Sequence, residues 1–321
     1  MELRHLQVLI AVAEQGSFSA AADQLGTVQS NVSAHMAKLE KELATTLVER
    51  STGHLTEEGE LALARAYRVL SELEALTDDV SALRAEVTGT VRLGMLGTTA
   101  RWLVPALLTD LAGSHPRLRL VVTEGSTSGL EPQLASGRVE LAVITHPVPG
   151  RDLLSEPLFE EQIVLAVRTD RDPTDGRTAI TLAELSSMEL LIPVEGSAFR
   201  SEIDSATKAA GIQLRPIIEV DGVRLLASLA FDGHGPALLP ATAVPEFLRS
   251  QVRLVTVHGM AWRRVGLAVR SRGLPSAPTR VVASALRRAA DPARLPEGLR
   301  PDRELNLPVS EGAPRGLGPT G

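Results

Sequence analysis

Cysteine is absent from the 321 residues. Its absence excludes disulfides, thiolate metal sites and a cysteine nucleophile. Aromatic residues make up only 2% of the chain, so any core must be built from Leu, Val, Ile and Ala. No apolar run approaches the length needed to cross a bilayer, and the N-terminus lacks a basic-then-apolar leader. The expected compartment is therefore the cytoplasm, with no membrane partner. Positive charge is also in short supply, the formal net charge being −6. Between Met1 and Glu58 the bases Arg4, Lys38, Lys41 and Arg50 are outnumbered by Glu2, Glu14, Asp23, Glu40, Glu42, Glu49, Glu57 and Glu58. Non-specific affinity for a duplex scales with the phosphates neutralised. An indiscriminate nucleic-acid binder is disfavoured, which leaves room for one that uses hydrogen bonds, helix N-termini and two-fold avidity.

What is present is an ordinary globular composition, 44% hydrophobic and 22% charged, long enough for two or three compact units. Residues 19–43, SAAADQLGTVQSNVSAHMAKLEKEL, organise the rest. Phe18, Ala21, Ala22 and Leu25 form one short helical face. Val32, Met36, Leu39 and Leu43 form a second, at steps of four, three and four. Gly26 marks a tight corner between them, and Gln29, Ser30, Asn31, Ser33, His35 and Lys38 are placed on the outer face of the second helix. The pattern fits a helix-turn-helix, and equally an ordinary helical hairpin.

The longer stretch LRHLQVLIAVAEQGSFSAAADQLGTVQSNVSAHMAKLEKEL at 3–43, with ER at 49–50 and LTEEG at 55–59, resembles the LysR-type transcriptional regulators. The resemblance runs from Met1 to about Ala290. It implies a winged helix-turn-helix over 1–58 that binds double-stranded DNA in a sequence-specific way. It also implies DNA contacts at Gln29, Ser30, Ser33 and position 34. Ala34 stands where relatives commonly carry a base, so that contact is missing. Thr27 is expected to cap the recognition helix. Gln29 can pair bidentately with adenine, and Ser30, Asn31 and Ser33 can bond base edges or phosphates. His35 is either a solvated residue or a phosphate contact, and Lys38 is a further candidate. The wing, Glu49 to Thr56, is short and weakly basic, and Arg50 is its expected phosphate contact.

From Thr56, a helix to about Val87 carries Ala62, Ala66, Val69, Leu73, Leu76, Val80, Leu83 and Val87 at strict steps of four and three. A heptad held this long predicts a two-helix coiled coil, hence a homodimer addressing two half-sites. A homotetramer is equally compatible with the chain.

From 88 to 290, strand-like and helix-like segments alternate, which predicts open, mainly parallel sheets covered by helices. The resemblance implies a periplasmic-binding-protein-like effector domain of two α/β subdomains. One is expected at 90–160 plus 265–290, the other at 161–264. The Pro- and Gly-rich segment 291–321 is expected to be disordered.

Ligands of open α/β sheets sit beyond the C-terminal ends of strands. Those ends offer Thr98, Thr99, Ser126, Thr127, Thr145, His146, Ser197, Phe199, Arg200 and His234 as candidates for a small, anionic effector of unknown identity. Each hydroxyl is equally a candidate helix cap. Arg200 can instead pair with Glu202 or Asp204, and His146 can be a plain loop residue. No metal ligand set, cofactor motif or catalytic group is expected. GSTSG at 125–129 lacks the G-x-S-x-G spacing, and no H-E-x-x-H, Walker loop or G-x-G-x-x-G occurs. The expectation is a regulator rather than an enzyme, contacting RNA polymerase if it activates. The rival is a solute-binding protein or small-molecule sensor without a DNA role.

Overall fold

A computed structural model describes residues 1–50, 52–83, 87–148 and 150–303. The N-terminal unit comprises α1 (Leu3–Gln15), α2 (Phe18–Gln24) and α3 (Gln29–Leu43). Ser17 caps α2 by accepting from the Ala20 amide at 3.2 Å. Gly26 adopts φ +62° in the corner before α3, a conformation a Cβ would disfavour. The three helices close over Leu9, Val12, Ala21, Val32, Met36 and Leu39, all fully buried. The wing is a single antiparallel bridge between Val48 and Leu55, with the Glu49 amide donating to the His54 carbonyl at 2.8 Å. Ser51, at its tip, lies outside the described residues.

Next comes α4 (Glu57–Ala82), whose first turn is capped by Thr56 through the Gly59 amide at 3.0 Å. Glu57, Glu58 and Glu60 complement its dipole. A Cβ on Gly59 would lie 2.0 Å from the Leu47 carbonyl oxygen, so glycine is what lets α4 rest on the wing strand. Helix α4 ends at Ala82 rather than Val87, and residues 84–86 lie outside the described set. The heptad seam divides in two. Ala62 and Ala66 are absorbed by the N-terminal core, whereas Val69, Leu73, Leu76, Val80 and Leu83 form an exposed apolar row.

The remaining elements are β1 (Gly89–Met95), α5 (Gly97–Ser114), β2 (Leu118–Glu124), α6 (Thr127–Ser136), β3 (Leu141–Thr145), β4 (Leu153–Glu161), β5 (Ile163–Arg168) and β6 (Ala179–Thr181). They continue as α7 (Leu182–Leu185), β7 (Glu189–Pro193), α8 (Ala198–Ala209), β8 (Arg215–Val220), α9 (Val223–Phe231) and β9 (Ala237–Pro240). The last are β10 (Val252–His258), β11 (Arg263–Arg270), α10 (Ala277–Ala289) and β12 (Leu299–Arg300). Two six-stranded sheets result, ordered β12-β4-β11-β3-β1-β2 and β6-β10-β5-β9-β7-β8. The chain passes between them twice, at Gln162 and at 259–262.

The sheets are mixed rather than mainly parallel. Strands β4, β11 and β12 pair antiparallel in the first, and β5 runs antiparallel to both β9 and β10 in the second. The double crossing explains this, because a strand that leaves one sheet and returns to it enters against its neighbours. Nor are residues 291–303, expected to be disordered, without structure. Strand β12 pairs with β4, Leu295 and Leu299 pack on the first subdomain's core, and Asp302 is fully buried. Residues 304–321 lie outside the described set. Among the described residues, no helix is long and apolar enough to cross a membrane.

Candidate functional site

Helix α3 divides into two faces. Val32, Met36 and Leu39 are buried, while Gln29, Ser30, Asn31, Ala34 and Lys38 are exposed and Ser33 is half-exposed. No side chain caps its first turn, the N-cap position being Val28, so the leading amides keep their hydrogen-bonding capacity for a phosphate. Thr27 does not cap. Its hydroxyl instead accepts from the Asn31 side-chain amide at 3.0 Å, which fixes the shape of the turn.

Two DNA candidates stand elsewhere than expected. His35 is not on the outer face. Its ring packs 5.4 Å from that of the buried His5, and its Nδ1 has no hydrogen-bond partner among the described residues. Arg50 folds back onto Glu40 at 3.2 Å and over the Phe18 ring at 5.5 Å, so a phosphate would have to compete with both. Glu40 escapes sequence reading. One of its oxygens accepts from the Leu47 amide at 2.9 Å and the other from Arg50, joining α3 to the wing.

Between the two subdomains lies a cavity of about 410 Å³. Its wall includes Thr98, Ser126, Thr127, Thr145, Ser197 and Phe199, together with Glu124, Asp221, Arg224 and Arg263. A larger, open groove of about 620 Å³ adjoins it along α5 and α9 and shares Gly97, Thr98, Glu124, Val223 and Arg224. The smaller cavity is the better ligand site, because only there does a buried charge face the void. Ser126 and Ser197 do cap their helices, accepting from the Gly129 and Arg200 amides at 3.2 Å each, and they line the cavity as well.

Four candidates do not reach the wall. Thr99 is fully buried beneath it. His146 turns to the Ser155 hydroxyl at 2.9 Å. His234 lies in the turn after α9, its amide donating to the Leu229 carbonyl. Arg200 is occupied along its own helix and the next strand, by Asp204 at 2.8 Å, Glu219 at 3.1 Å and the Pro193 carbonyl.

The arginine that does face the cavity is Arg263, at the start of β11, with a side chain only 4% exposed. It lies over the Phe199 ring at 5.6 Å and stands 3.6 Å from both Glu161 and Glu202. At that distance neither carboxylate takes a true hydrogen bond, so among the described residues Arg263 Nε and Nη1 have ion-pair neighbours but no hydrogen-bond acceptor. A hydroxyl relay connects the subdomains here. Thr127 donates to Thr145 at 3.1 Å, and Thr145 donates to Glu202 at 3.2 Å. Burial pushes the Glu202 carboxyl above its ordinary value, against the opposing pull of Arg263. Among the described residues, no cluster of His, Asp or Glu could hold a metal ion.

Comparison with known proteins fits both regions. The model of the bacterial regulatory helix-turn-helix protein, lysR family, matches residues 3–60, and that of the LysR substrate binding domain matches 84–291. A probable hydrogen peroxide-inducible genes activator of Streptomyces viridosporus is 33% identical over 89% of this chain and 94% of its own. The DNA-binding transcriptional dual regulator OxyR of Escherichia coli is 28% identical, over 87% of this chain and 92% of its own. The structure of full-length CbnR with its target DNA superimposes with a TM-score of 0.66 at 25% identity, covering 90% of this chain and all of that one. Full-length OxyR from Pseudomonas aeruginosa gives a TM-score of 0.72 at 24% identity, over 94% of this chain and 97% of that one, a likeness of fold. A solute binder has no use for a DNA-reading head, so that rival is not favoured. The chain belongs to the LysR family of DNA-binding transcriptional regulators.

Proposed function

We propose that this regulator works as a homodimer or homotetramer in the cytoplasm, and that a small anionic effector bound against Arg263 resets its hold on operator DNA. Arg263 carries this reading. A buried guanidinium on a cavity wall, with two nitrogens that lack a hydrogen-bond acceptor among the described residues, favours a ligand oxygen at that point. The surrounding hydroxyls of Thr98, Ser126 and Thr127 offer further polar contacts. Pairing is supported by the exposed row from Val69 to Leu83, which has the spacing of a coiled-coil seam. RNA polymerase is the further partner if the protein activates, and no catalytic role or cofactor is assigned. The relatives are named for hydrogen peroxide, but thiol oxidation cannot carry such a signal here, because the chain has no cysteine.

The test is a thermal-shift screen of the full-length protein against small mono- and dicarboxylates. At least one should raise the melting temperature of the wild type but not of Arg263→Gln, and should change affinity for operator DNA. By linkage, operator must tighten or loosen the same compound by the same factor. A compound that stabilises both proteins equally removes Arg263 from the site.

A further inference from the structure

The substrate-domain match ends at residue 291, yet the described chain continues to Arg303 and returns to the place where the two subdomains join. Asp291 turns it by accepting from the Ala293 amide at 2.8 Å. At Gly298 the strap meets the first crossover, where the Gln162 amide donates to the Gly298 carbonyl at 2.8 Å. The glycine is required, since its φ is +84° and a Cβ would fall 2.4 Å from that of Ala241 in the second subdomain. Leu299 and Arg300 then pair with Glu161 and Glu160 at the end of β4.

The strap meets the second crossover through Arg300 and Asp302. The Arg300 guanidinium stacks 3.9 Å above the Trp262 ring while bonding Glu160. Asp302, fully buried, receives both Nε and Nη2 of Arg264 at 2.8 and 3.0 Å. Glu297 pairs with Arg249 of the second subdomain at 3.2 Å. Thus one short segment grips both hinge strands. Its contacts fall on Glu161, which stands 3.6 Å from Arg263, and on Trp262 and Arg264, the chain neighbours of Arg263.

We propose that residues 291–303 are a hinge clasp that sets the angle between the two subdomains, and with it the width of the cleft. Opening or closing the cleft requires the two crossovers to change their dihedrals, and the strap ties them to each other by one backbone bond, one stacked cation and one buried bidentate pair. Asp302 and Arg300 act as positioning residues, because neither lines the cleft itself. The clasp does not depend on the nature of the ligand, so its test needs neither effector nor DNA.

Because the chain has no native cysteine, Ala112→Cys on α5 and Ala209→Cys on α8 give one label site in each subdomain. The full-length protein, spin-labelled at both and diluted with unlabelled protein, is measured by pulsed dipolar spectroscopy. The double substitution Arg264→Ala with Asp302→Ala should shift or broaden the inter-subdomain distance distribution. The Gln162 amide should exchange with deuterium at least tenfold faster. Arg300→Ala alone keeps the buried pair, so it preserves the fold and should give the same changes to a smaller extent. If either folded variant gives a distribution superimposable on the wild type and unchanged exchange at Gln162, the clasp is overturned and the strap is mere packing.

Discussion

The reading face of α3 and the wall of the cleft are opposite kinds of site. Gln29 and Ser30 stand in solvent, and little in the fold depends on them. Arg263, Glu202 and Glu161 are sunk between two sheets, and each stands within ion-pair distance of another of the three. The first site can exchange its side chains with little structural penalty, whereas every change in the second also alters how the subdomains sit together. On the proposed function, partner specificity and signal response therefore rest on parts of the protein with different tolerances.

The sharpest test sets the two faces of α3 against each other. Met36→Ala, on the buried face, should lower unfolding free energy by about 2–5 kcal/mol through the cavity it leaves, read by urea denaturation. Gln29→Ala, on the outer face, should leave the melting temperature alone and weaken operator binding by about 1–3 kcal/mol in fluorescence anisotropy. A large fall in stability for Gln29→Ala would break the contrast.

The smallest effect belongs to the cleft. The folded Glu202 carboxyl titrates above its ordinary value of 4.5, so the native state holds that proton more tightly than the unfolded chain. The associated stability is fully present below 4.5 and is lost as pH rises toward the raised native value. Glu202→Gln removes that loss, so it should melt higher than the wild type at neutral pH and no higher at pH 4. Equal curves at both values would show that Arg263 already compensates the burial.

Local pattern made the N-terminal quarter legible. Faces at steps of three and four, a glycine corner and Thr56 at the head of α4 are all near neighbours in the chain. Where this reading failed, geometry explains why. His35 lies three residues after Val32 and four before Leu39, on the edge of the buried stripe, so a polar name hid an inward position. The cleft hydroxyls were legible from the ends of strands, but Arg263 was not, because its neighbours Glu161 and Glu202 come from two separate stretches of chain. Strand β4 is hard to read from sequence for a related reason. Its sequence LLSEPLFEE carries a proline and ends on two glutamates that are buried only because Thr242, Arg263 and Arg300 meet them. Of the two readings of Arg200 the helix pair with Asp204 holds, and its second partner, Glu219 on β8, is remote in sequence.

Helix α4 is fastened at both ends. Ala62 and Ala66 sit in the reading head, while Arg68 bonds the Ala135 carbonyl, Arg92 bonds Glu74, and Asp79 accepts from the Ala277 amide. Its 26 residues span about 39 Å at roughly 1.5 Å each. A tilt of about 10° at one end would carry the other roughly 7 Å, close to two base-pair steps of about 3.4 Å. On the proposed function, a rigid lever of this reach would turn a slight adjustment in the sensor into a change of register on the double helix.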